Sequence, residues 1–401
     1  MKRNLLAFAA LLLVIPSIAS TCFNDGTLCL QFVSPKPESI YHRPETRIVI
    51  RHGEVLDISA LQLNPGLLSI TGSISGNHVC TYWLASDQKT LQIVPQTPFE
   101  YGETVSVEIS GLRLVSGNVL LPEFGYSFST MNAPPATLSA DVAHNDELEA
   151  ESGDRDFPSV TTLTLNNPAP GNIFMGITGL QKFISILDNE GNDPPLWFQE
   201  TNGDGNDFKI QESGYLTYFA RTPQFWYVMN DEIEIVDTLH MLNGYLCDDH
   251  ECLYLADGHY FLQCYDHQTM DLSGEVPGGN VAADVIGYIW QEIDANEDLL
   301  MEWRSWDYLD MFESYHVSWT SDQLDLWHGN SIERDADMNI LVSLRNTDEI
   351  LKINGATGEI IWRFGGGLYN QFDLLGGAGF TYQHDARVLP NGHITVYNNG
   401  N

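Results

Sequence analysis

The second half of the sequence repeats a two-strand unit in which a tryptophan closes the second strand. In each copy an apolar strand ends at Asp or Asn, a polar turn follows, and a second strand runs to Trp; the copies span residues 184–197, 288–303 and 350–362. A hairpin that buries one aromatic side chain per repeat is typical of propeller blades, because each blade covers the apolar face of the next. A generic β-sandwich would need three chance placements of Trp, so we favour a propeller.

A histidine recurs in this region ahead of a polar turn. His250 and His384 each lie seven residues before the Asp or Asn of a turn that contains glycine. His328 lies in a looser version of this setting, before the apolar strand that leads to Arg345. A polar group repeated at one place in a repeated β-unit indicates several units that direct side chains at one point, as in the central channel of a propeller.

The segment from about 30 to 133 reads instead as short strands separated by glycine-containing turns. Alternating apolar and polar residues occur at 46–51, 90–94, 104–109 and 126–130. About seven strands in some 100 residues favour a β-sandwich. The stretches SITGSISGNH (69–78) and TLQIVPQTPFEYGETVSVEISGL (90–112), with YSFSTM (126–131), resemble bacterial Ig-like domains. We expect this module to act as a spacer or an attachment, without chemistry of its own.

The predicted fold class is therefore all-β, with four parts along the chain. Residues 1–20 read as a secretory signal peptide, because Met1-Lys-Arg precedes a short apolar run and small residues. Residues 21–133 form the Ig-like β-sandwich, and residues 134–159 form an acidic linker rich in Pro, Ala and Ser. Residues 160–401 form a β-propeller of about four blades that stops partway through a repeat, so we expect it to be incomplete at its C-terminus.

The charge is concentrated in the second part of the chain. The whole sequence has a formal net charge of −36, and residues 134–401 hold 44 acidic but only 10 basic residues. Such a balance excludes nucleic acid as a partner, since phosphate binding requires clustered Lys and Arg. We favour a solubility adaptation to an extracellular or salty setting. A calcium site in the oxygen-rich segment 202–207 stays open, although the segment lacks the Glu that an EF-hand requires.

Export fits the cysteine content. The signal peptide predicts a periplasmic, secreted or cell-surface protein, and after it no segment is long and apolar enough to cross a membrane. Six cysteines are compatible with up to three disulfides, of which Cys22 and Cys29 could form one. Cys247 and Cys252 bracket His250 and could bind zinc, but an oxidising compartment favours a disulfide.

About 200 C-terminal residues resemble the bacterial arylsulfate sulfotransferases. The resemblance lies in DDHECLYLADGH (248–259), IWQEIDANEDLLMEWRSWDYLD (289–310), DLWHGNSIERDADMNILVSLRNTDEILKINGATGEIIWRFGG (325–366) and YQHDARVLPNGHITVYNNGN (382–401). It implies an exported enzyme with a six-bladed propeller, of which this chain would hold about four blades. It also implies sulfuryl transfer from a phenolic sulfate ester to a phenolic acceptor, independent of PAPS or another nucleotide cofactor. The printed sequence alone is therefore not expected to be a complete enzyme.

The same resemblance assigns the residues of the site. It implies that His384 is the nucleophile, which becomes sulfated on a ring nitrogen. It implies that His250, His328 and Arg345 hold the sulfuryl oxygens and assist the leaving phenol. Asn330 lies in the matching motif, and we place it with the substrate-binding residues.

This chemistry is reasonable on physical grounds. Neutral imidazole is a good nucleophile near pH 7, and covalent catalysis divides one difficult displacement into two easier ones. Fixed donors stabilise the charge that the sulfuryl oxygens carry as the S–O bond breaks. Arg345 supplies a permanently charged planar group in a region with few cations.

Two other functions stay open at this point. A non-catalytic secreted propeller that binds glycans or proteins predicts aromatic residues, rather than His and Arg, around its ligand. A metal-dependent hydrolase or lyase could use the same three histidines and would lose its activity with a chelator.

Overall fold

A computed structural model of the chain describes residues 21–134, 157–177, 182–201, 204–314, 316–367, 369–373 and 379–400. The predicted signal peptide 1–20 and most of the predicted linker 134–159 lie outside these residues. The described part is all-β, as predicted, and its one α-helix is α1 (Ser59–Leu63). No helix in these ranges has the length and apolar character needed to cross a membrane. Short 3-10 turns occupy Asn24–Gly26, Pro65–Leu67, Ser116–Asn118, Ser305–Asp307, Met311–Glu313 and Arg345–Thr347.

Thirteen short strands form the N-terminal region. They are β1 (Thr21–Phe23), β2 (Leu28–Leu30), β3 (Phe32–Ser34), β4 (Ile48–Arg51), β5 (Leu56–Asp57), β6 (Leu68–Gly72), β7 (Gly76–Asn77), β8 (Cys80–Leu84), β9 (Thr90–Pro95), β10 (Thr104–Ile109), β11 (Arg113–Leu114), β12 (Val119–Leu120) and β13 (Phe124–Ser129).

Two four-stranded antiparallel sheets organise this region. Their orders are β3-β4-β9-β8 and β13-β10-β6-β7, and a small third sheet has the order β12-β11-β5. Strand β10 shows why they pack together: its residues alternate between exposed and buried, so that Val105 and Val107 enter the core. They share one apolar cluster with Ile48 and Ile93 of the other sheet. The predicted strands at 46–51, 90–94, 104–109 and 126–130 are confirmed to within two residues.

The N-terminal hairpin is closed by a disulfide. Strands β1 and β2 pair antiparallel, and Cys22 faces Cys29 directly across the pair. The two cysteines form the disulfide that their position suggested. The remaining four cysteines are free thiols.

The C-terminal region contains eighteen strands. They are β14 (Asn172–Ile177), β15 (Phe183–Asp188), β16 (Trp197–Glu200), β17 (Asn206–Ile210), β18 (Leu216–Ala220), β19 (Phe225–Met229), β20 (Ile235–Leu239), β21 (Cys252–Tyr254), β22 (Tyr260–Met270), β23 (Ala283–Ile293), β24 (Leu299–Arg304), β25 (Gln323–Asp325), β26 (Gly329–Arg334), β27 (Ile340–Leu344), β28 (Glu349–Ile353), β29 (Ile360–Gly365), β30 (His384–Val388) and β31 (Ile394–Tyr397).

These strands form consecutive sheets in which each strand pairs with the next along the chain. The orders are β14-β15-β16, β17-β18-β19-β20, β21-β22-β23-β24, β26-β27-β28-β29 and β30-β31, and β25 adds to β23 in parallel. The three predicted tryptophan units are antiparallel pairs, β15–β16, β23–β24 and β28–β29. Trp303 is fully buried and stacks on Trp290, while Trp197 and Trp362 pack against other apolar clusters. The tryptophans thus serve packing, and the number of blades stays a prediction.

Six hairpin turns in the described part of this region share one hydrogen-bonding pattern, and three of them follow the candidate histidines. In these three, a backbone N–H donates to the carbonyl four residues later, at 2.7–2.9 Å: Leu255 to His259, Asp335 to Asn339, and Leu389 to His393. The fourth residue of each of the three turns has a left-handed φ, at Gly258 (85°), Met338 (63°) and Gly392 (79°). Glycine adopts this conformation without steric cost, so two of the three turns have the residue that the geometry requires.

The N-terminal region packs directly against the C-terminal region and is not a separate spacer, contrary to the sequence expectation. Buried Arg304, at the end of β24, donates to the carbonyl of Tyr41 at 2.8 Å. Arg51 of β4 donates in the other direction, to the carbonyl of Leu300 at 2.9 Å. Phe32 belongs to the same apolar cluster as the residues of β22–β24. The two regions therefore share a core.

We predict that Met338→Gly stabilises the protein. Met338 is an exposed side chain at a left-handed φ of 63°, and a Cβ in that conformation costs roughly 1–2 kcal/mol, of which the greater flexibility of glycine in the unfolded chain cancels part. The free energy of unfolding in urea should rise by about 1 kcal/mol. Met338→Ala keeps the Cβ and serves as the control; an equal gain in both variants would contradict the backbone explanation.

Candidate active site

Three histidines meet where the first strands of three successive sheets begin. His250 lies two residues before β21, His328 directly precedes β26, and His384 is the first residue of β30. Their ring centroids are 5.1 Å (His250 to His328), 6.0 Å (His250 to His384) and 6.1 Å (His328 to His384) apart. The polypeptide separates them by more than fifty residues in each case, so the sheets bring them together.

Hydrogen bonds between strands fix this arrangement. The buried Asn330 side chain, in β26, donates to the carbonyls of His328 (3.3 Å) and Gln383 (3.0 Å). It thereby joins β26 to the residue that directly precedes β30. The N–H of Ala386 donates to Oγ of Ser331 at 3.0 Å. Among the described residues the Asn330 amide oxygen has no hydrogen-bond partner. The structure therefore gives Asn330 a bridging position, and its predicted contact with substrate stays a prediction.

His250 is held by a carboxylate. Its Nδ1 lies 2.7 Å from Oδ1 of Asp248, and Gln263 donates to the same oxygen at 3.1 Å while accepting from Tyr288 at 2.7 Å. Burial disfavours the charged imidazole, but the hydrogen bond and charge of Asp248, with the charge of Asp249, outweigh it and raise the pKa of His250 to about 9. His250 is thus a cation at neutral pH.

His328 has a similar acidic partner. Its Nδ1 lies 2.5 Å from Oδ2 of Asp325, and its ring stacks on Tyr265 with centroids 5.5 Å apart. His328 itself has a left-handed φ of 50°. A Cβ on the next residue, Gly329, would lie 2.0 Å from the Tyr288 ring. Only glycine therefore fits beside His328.

His384 differs from the other two because its partner is a backbone carbonyl. Nδ1 lies 3.0 Å from the carbonyl oxygen of Tyr382 and 3.1 Å from the amide of Asn399. The Tyr382 carbonyl can only accept, so its contact favours the tautomer with the proton on Nδ1 and the lone pair on Nε2; in that tautomer the NH2 group of Asn399, which can only donate, makes no hydrogen bond to Nδ1. Burial lowers the pKa of His384; the Tyr382 hydrogen bond opposes this, and the neighbouring His250, His328 and Arg345 lower it further. This imidazole is neutral at pH 7.

Arg345 lies beside the same group. It follows β27, its N–H donates to the carbonyl of His328 at 3.1 Å, and its guanidinium sits 4.3 Å above the Tyr382 ring. Nη1 donates to the side chain of Asn346 at 2.8 Å. The structure thus brings Arg345 to the three histidines, as the sequence hypothesis requires.

A buried ion cluster, which sequence reasoning missed, lies directly next to the histidines. Glu251 is fully buried between Lys209 of β17 and Arg387 of β30, and Arg387 also reaches Glu333 of β26 at 3.5 Å. Burial alone would raise the pKa of Glu251, but the charges of Lys209 and Arg387 outweigh it and lower it. The cluster joins β17, β26 and β30 to the segment that leads into β21. Arg387 is thus paired with acids and is not a free cation of the site.

The acidic partners of the histidines were also missed. An acid stands two residues before His250 and three before His328, at Asp248 and Asp325, and this spacing is the signal that could have found them. Asp249 also approaches the site, because the segment before β21 is not yet a strand and does not direct neighbouring side chains to opposite faces; one of its oxygens lies 3.4 Å from Nδ1 of His250.

The expected disulfide at Cys247 and Cys252 is not present. Both are free thiols in the apolar cluster, as is Cys264, and the residue facing Cys252 across the hairpin is Leu262. Burial raises the pKa of Cys247 to about 12, which disfavours the thiolate that zinc requires. These cysteines act as small apolar side chains.

The proposed calcium segment 202–207 lies partly outside the described residues. Within them, Asn206 donates to Asp249, and Asp207 pairs with Lys209 at 2.6 Å. A calcium site there stays a prediction. The three histidines are a separate candidate for a metal site, because one ring nitrogen from each lies within 4.8 Å of the others.

Comparison with known proteins identifies a family for the C-terminal part. Residues 214–401 match the model of the family described as arylsulfotransferase (ASST). No curated protein matches the chain.

Similar solved structures are distant. A protein of unknown function from Bacteroides caccae is 13% identical over 57% of this chain and 65% of its own length, with a TM-score of 0.34, so the chain spans less than two thirds of that protein. Glutaminyl cyclase from Myxococcus xanthus is 13% identical over 57% of this chain and 82% of its own length (TM-score 0.31). The copper resistance protein PcoC from Escherichia coli is 22% identical over 25% of this chain and 95% of its own length (TM-score 0.20). These scores carry no argument about the fold.

We predict that Glu251→Gln destabilises the protein by about 3 kcal/mol, because it removes the fully buried carboxylate that Lys209 and Arg387, both partly buried, share. Urea unfolding monitored by tryptophan fluorescence measures the change. Glu333→Gln is the matched control, since its partly exposed carboxylate only approaches Arg387 at 3.5 Å, and we expect a loss below about 1 kcal/mol. Similar losses in both variants would show that Glu251 is not the centre of the cluster.

Proposed function

From the match of residues 214–401 to the arylsulfotransferase family, we propose that the protein transfers a sulfuryl group from a phenolic sulfate ester to a phenolic acceptor by way of a sulfated His384. One observation carries the proposal. A neutral imidazole with a free Nε2 faces a charged imidazole held by a carboxylate and lies beside an arginine. A nucleophile and cationic donors for one anion are the parts that such a transfer needs.

The first step forms an N–S bond and breaks the ester S–O bond. The Nε2 lone pair of His384 attacks sulfur, and the electron pair of the S–O bond leaves with the phenolic oxygen. His250, protonated and next to the site, donates a proton to that oxygen, so that phenol rather than phenolate departs. Nδ1 of His384 keeps its hydrogen bond to the carbonyl of Tyr382, which stabilises the positive charge on the sulfated ring.

The second step reverses the first with a different phenol. The acceptor gives its proton to the now neutral His250, its oxygen attacks sulfur, and the N–S bond breaks with its electron pair returning to Nε2 of His384. Both imidazoles regain their initial protonation states. No nucleotide takes part in either step, because the sulfuryl group comes from the ester itself.

Local positive charge is needed because the surroundings are acidic. Residues 134–401 carry 44 acidic against 10 basic residues, so an anionic substrate is repelled over a Debye length of about 10 Å. Several cations of this region are already paired: Lys209 and Arg387 with Glu251, and Arg363 with Glu313 and Glu349. Arg345, for which the described residues show no ion pair, and His250, whose imidazolium is held by Asp248 through Nδ1, lie next to His384, which supports their assignment to the sulfuryl oxygens.

We further propose that the protein works outside the cytoplasm, as its N-terminal sequence predicts, in the periplasm, at the cell surface or as a secreted protein. A non-catalytic binding module is the less favoured alternative. It requires an aromatic-lined ligand site, whereas His250, His328 and His384 converge on one point, with a carboxylate behind each of the first two.

Replacement of the nucleophile tests the proposal. We expect His384→Ala to lower the rate of phenol release from 4-nitrophenyl sulfate, with a second phenol as acceptor, by roughly 10³-fold or more. Mass spectrometry of the protein incubated with donor alone should find one added SO₃ on the peptide that contains His384. His393→Ala, in a turn away from the site, is the control. Full activity of His384→Ala, or SO₃ on another residue, would overturn the mechanism.

The pH dependence follows from the two imidazoles. Activity should rise as pH passes the lowered pKa of His384, below 6.5, because the nucleophile must lose its proton. It should fall as pH passes about 9, because His250 must keep its proton. The kcat/KM for the donor, measured by chromatography of the released phenol, gives both limbs. Asp248→Asn should move the basic limb to lower pH, since the Asp248 charge sustains the raised pKa; an unmoved limb would contradict the role of His250.

A further inference from the structure

We propose that His250, His328 and His384 form a three-histidine binding site for a divalent transition-metal ion of the Zn²⁺ type, and that this ion excludes the aryl sulfate. The metal site stands on the geometry of the three imidazoles alone. The exclusion of substrate rests on the proposed function, because it assumes that the ester binds at the same nitrogens.

The first argument is the orientation of the rings. Each histidine uses Nδ1 for its hydrogen bond: to the carboxylates of Asp248 and Asp325 in His250 and His328, and to a backbone carbonyl in His384. Within the part of the chain that the structure describes, Nε2 makes no hydrogen bond in any of the three. Metal-bound histidines almost always donate their other ring N–H to a carboxylate or a carbonyl, which fixes the tautomer that binds through Nε2.

The second argument is distance. One ring nitrogen from each histidine lies within 4.8 Å of the other two. Tetrahedral zinc with Zn–N bonds of about 2.0–2.1 Å places its ligand nitrogens roughly 3.4 Å apart. To bind such an ion, two ligand nitrogens would have to move closer by at most about 1.4 Å. The three rings are only partly buried, so rotation of their side chains can supply this movement.

The third argument is ligand type and charge. Three imidazoles and one open position suit Zn²⁺, Cu²⁺ or Co²⁺, whereas Mg²⁺ and Ca²⁺ prefer oxygen. Asp248 and Asp325 stand directly behind two of the rings and offset the charge of the ion. The neighbouring group Asp248, Asp249 and His250 is a weaker candidate, because it would use Nδ1 of His250, which is already hydrogen-bonded.

The same atoms would then serve two exclusive ligands. The ring nitrogens of His250, His328 and His384 that would approach the sulfuryl oxygens are the same nitrogens that would bind a cation. A bound metal also occupies the lone pair of His384 that would attack sulfur. The ion therefore competes with the ester instead of activating it.

Cobalt(II) provides a direct test, because a four-coordinate Co²⁺ site absorbs visible light. Titration of the metal-free protein with Co²⁺ should give visible absorption bands that stop growing at one ion per chain. His384→Ala should abolish them, and Asp325→Asn should weaken binding roughly 10- to 100-fold. His393→Ala and His259→Ala, which alter turn histidines, should leave the titration unchanged. Absence of the bands, or the same bands in His384→Ala, would overturn the metal site.

Competition is measured separately. Added 4-methylbenzenesulfonate, an aryl sulfonate without a leaving oxygen, should raise the Co²⁺ concentration needed for half-saturation, and Zn²⁺ should slow phenol release in a way that excess donor relieves. If the sulfonate does not change the Co²⁺ concentration needed for half-saturation, the proposal that metal and aryl sulfate exclude each other is wrong. A different result would contradict the proposed function. If the protein binds Co²⁺ at these histidines but transfers no sulfuryl group when EDTA keeps it metal-free, the transferase proposal is wrong and the metal site still stands.

Discussion

The site depends on one buried carboxylate placed between cations from two other sheets. Glu251 pairs with Lys209 and Arg387, and it directly follows His250 in the chain. Arg387 lies three residues after His384 on the same strand. These ion pairs tolerate little displacement, because without them the fully buried Glu251 would be an uncompensated charge. The cluster thus fixes the distance between the strands that carry His250 and His384, and with it the distance between two of the site's imidazoles.

Two levels of polar side chains can therefore be distinguished along these first strands. One is permanently charged and internally paired, and it holds the strands together. The other consists of the three histidines, whose partners leave one nitrogen of each ring free. The different partners give similar rings different properties: the Asp248 carboxylate makes His250 a cation, whereas the Tyr382 carbonyl and nearby positive charges keep His384 neutral. Sequence repetition supplied three equivalent positions, and local electrostatics made them chemically distinct.

Much of this could be predicted from the sequence, for identifiable reasons. The tryptophan units and their strands were found because a period of two and a buried aromatic are local signals, and the meeting of His250, His328 and His384 followed from their repeated setting. The cluster at Glu251 could not be predicted, because its members come from four different parts of the chain. The residues around Lys209 or Arg387 in the sequence do not indicate which acid each cation contacts. Contacts of that kind depend on how sheets pack, which periodicity does not encode.

The same limit explains the two expectations that failed. Cys247 and Cys252 bracket a histidine, a pattern that suggested a disulfide, but their side chains enter the apolar cluster and stay reduced. The N-terminal module was expected to be a spacer, because its strands read as a self-sufficient sandwich. Its outward side nevertheless supplies Arg51 and the Tyr41 carbonyl to β24, in a sheet that carries His250 at its opposite edge. Since a fully buried Arg304 ends that strand, removing the module would leave a charge without its carbonyl partners, so the module supports the sheet from which the candidate site is built.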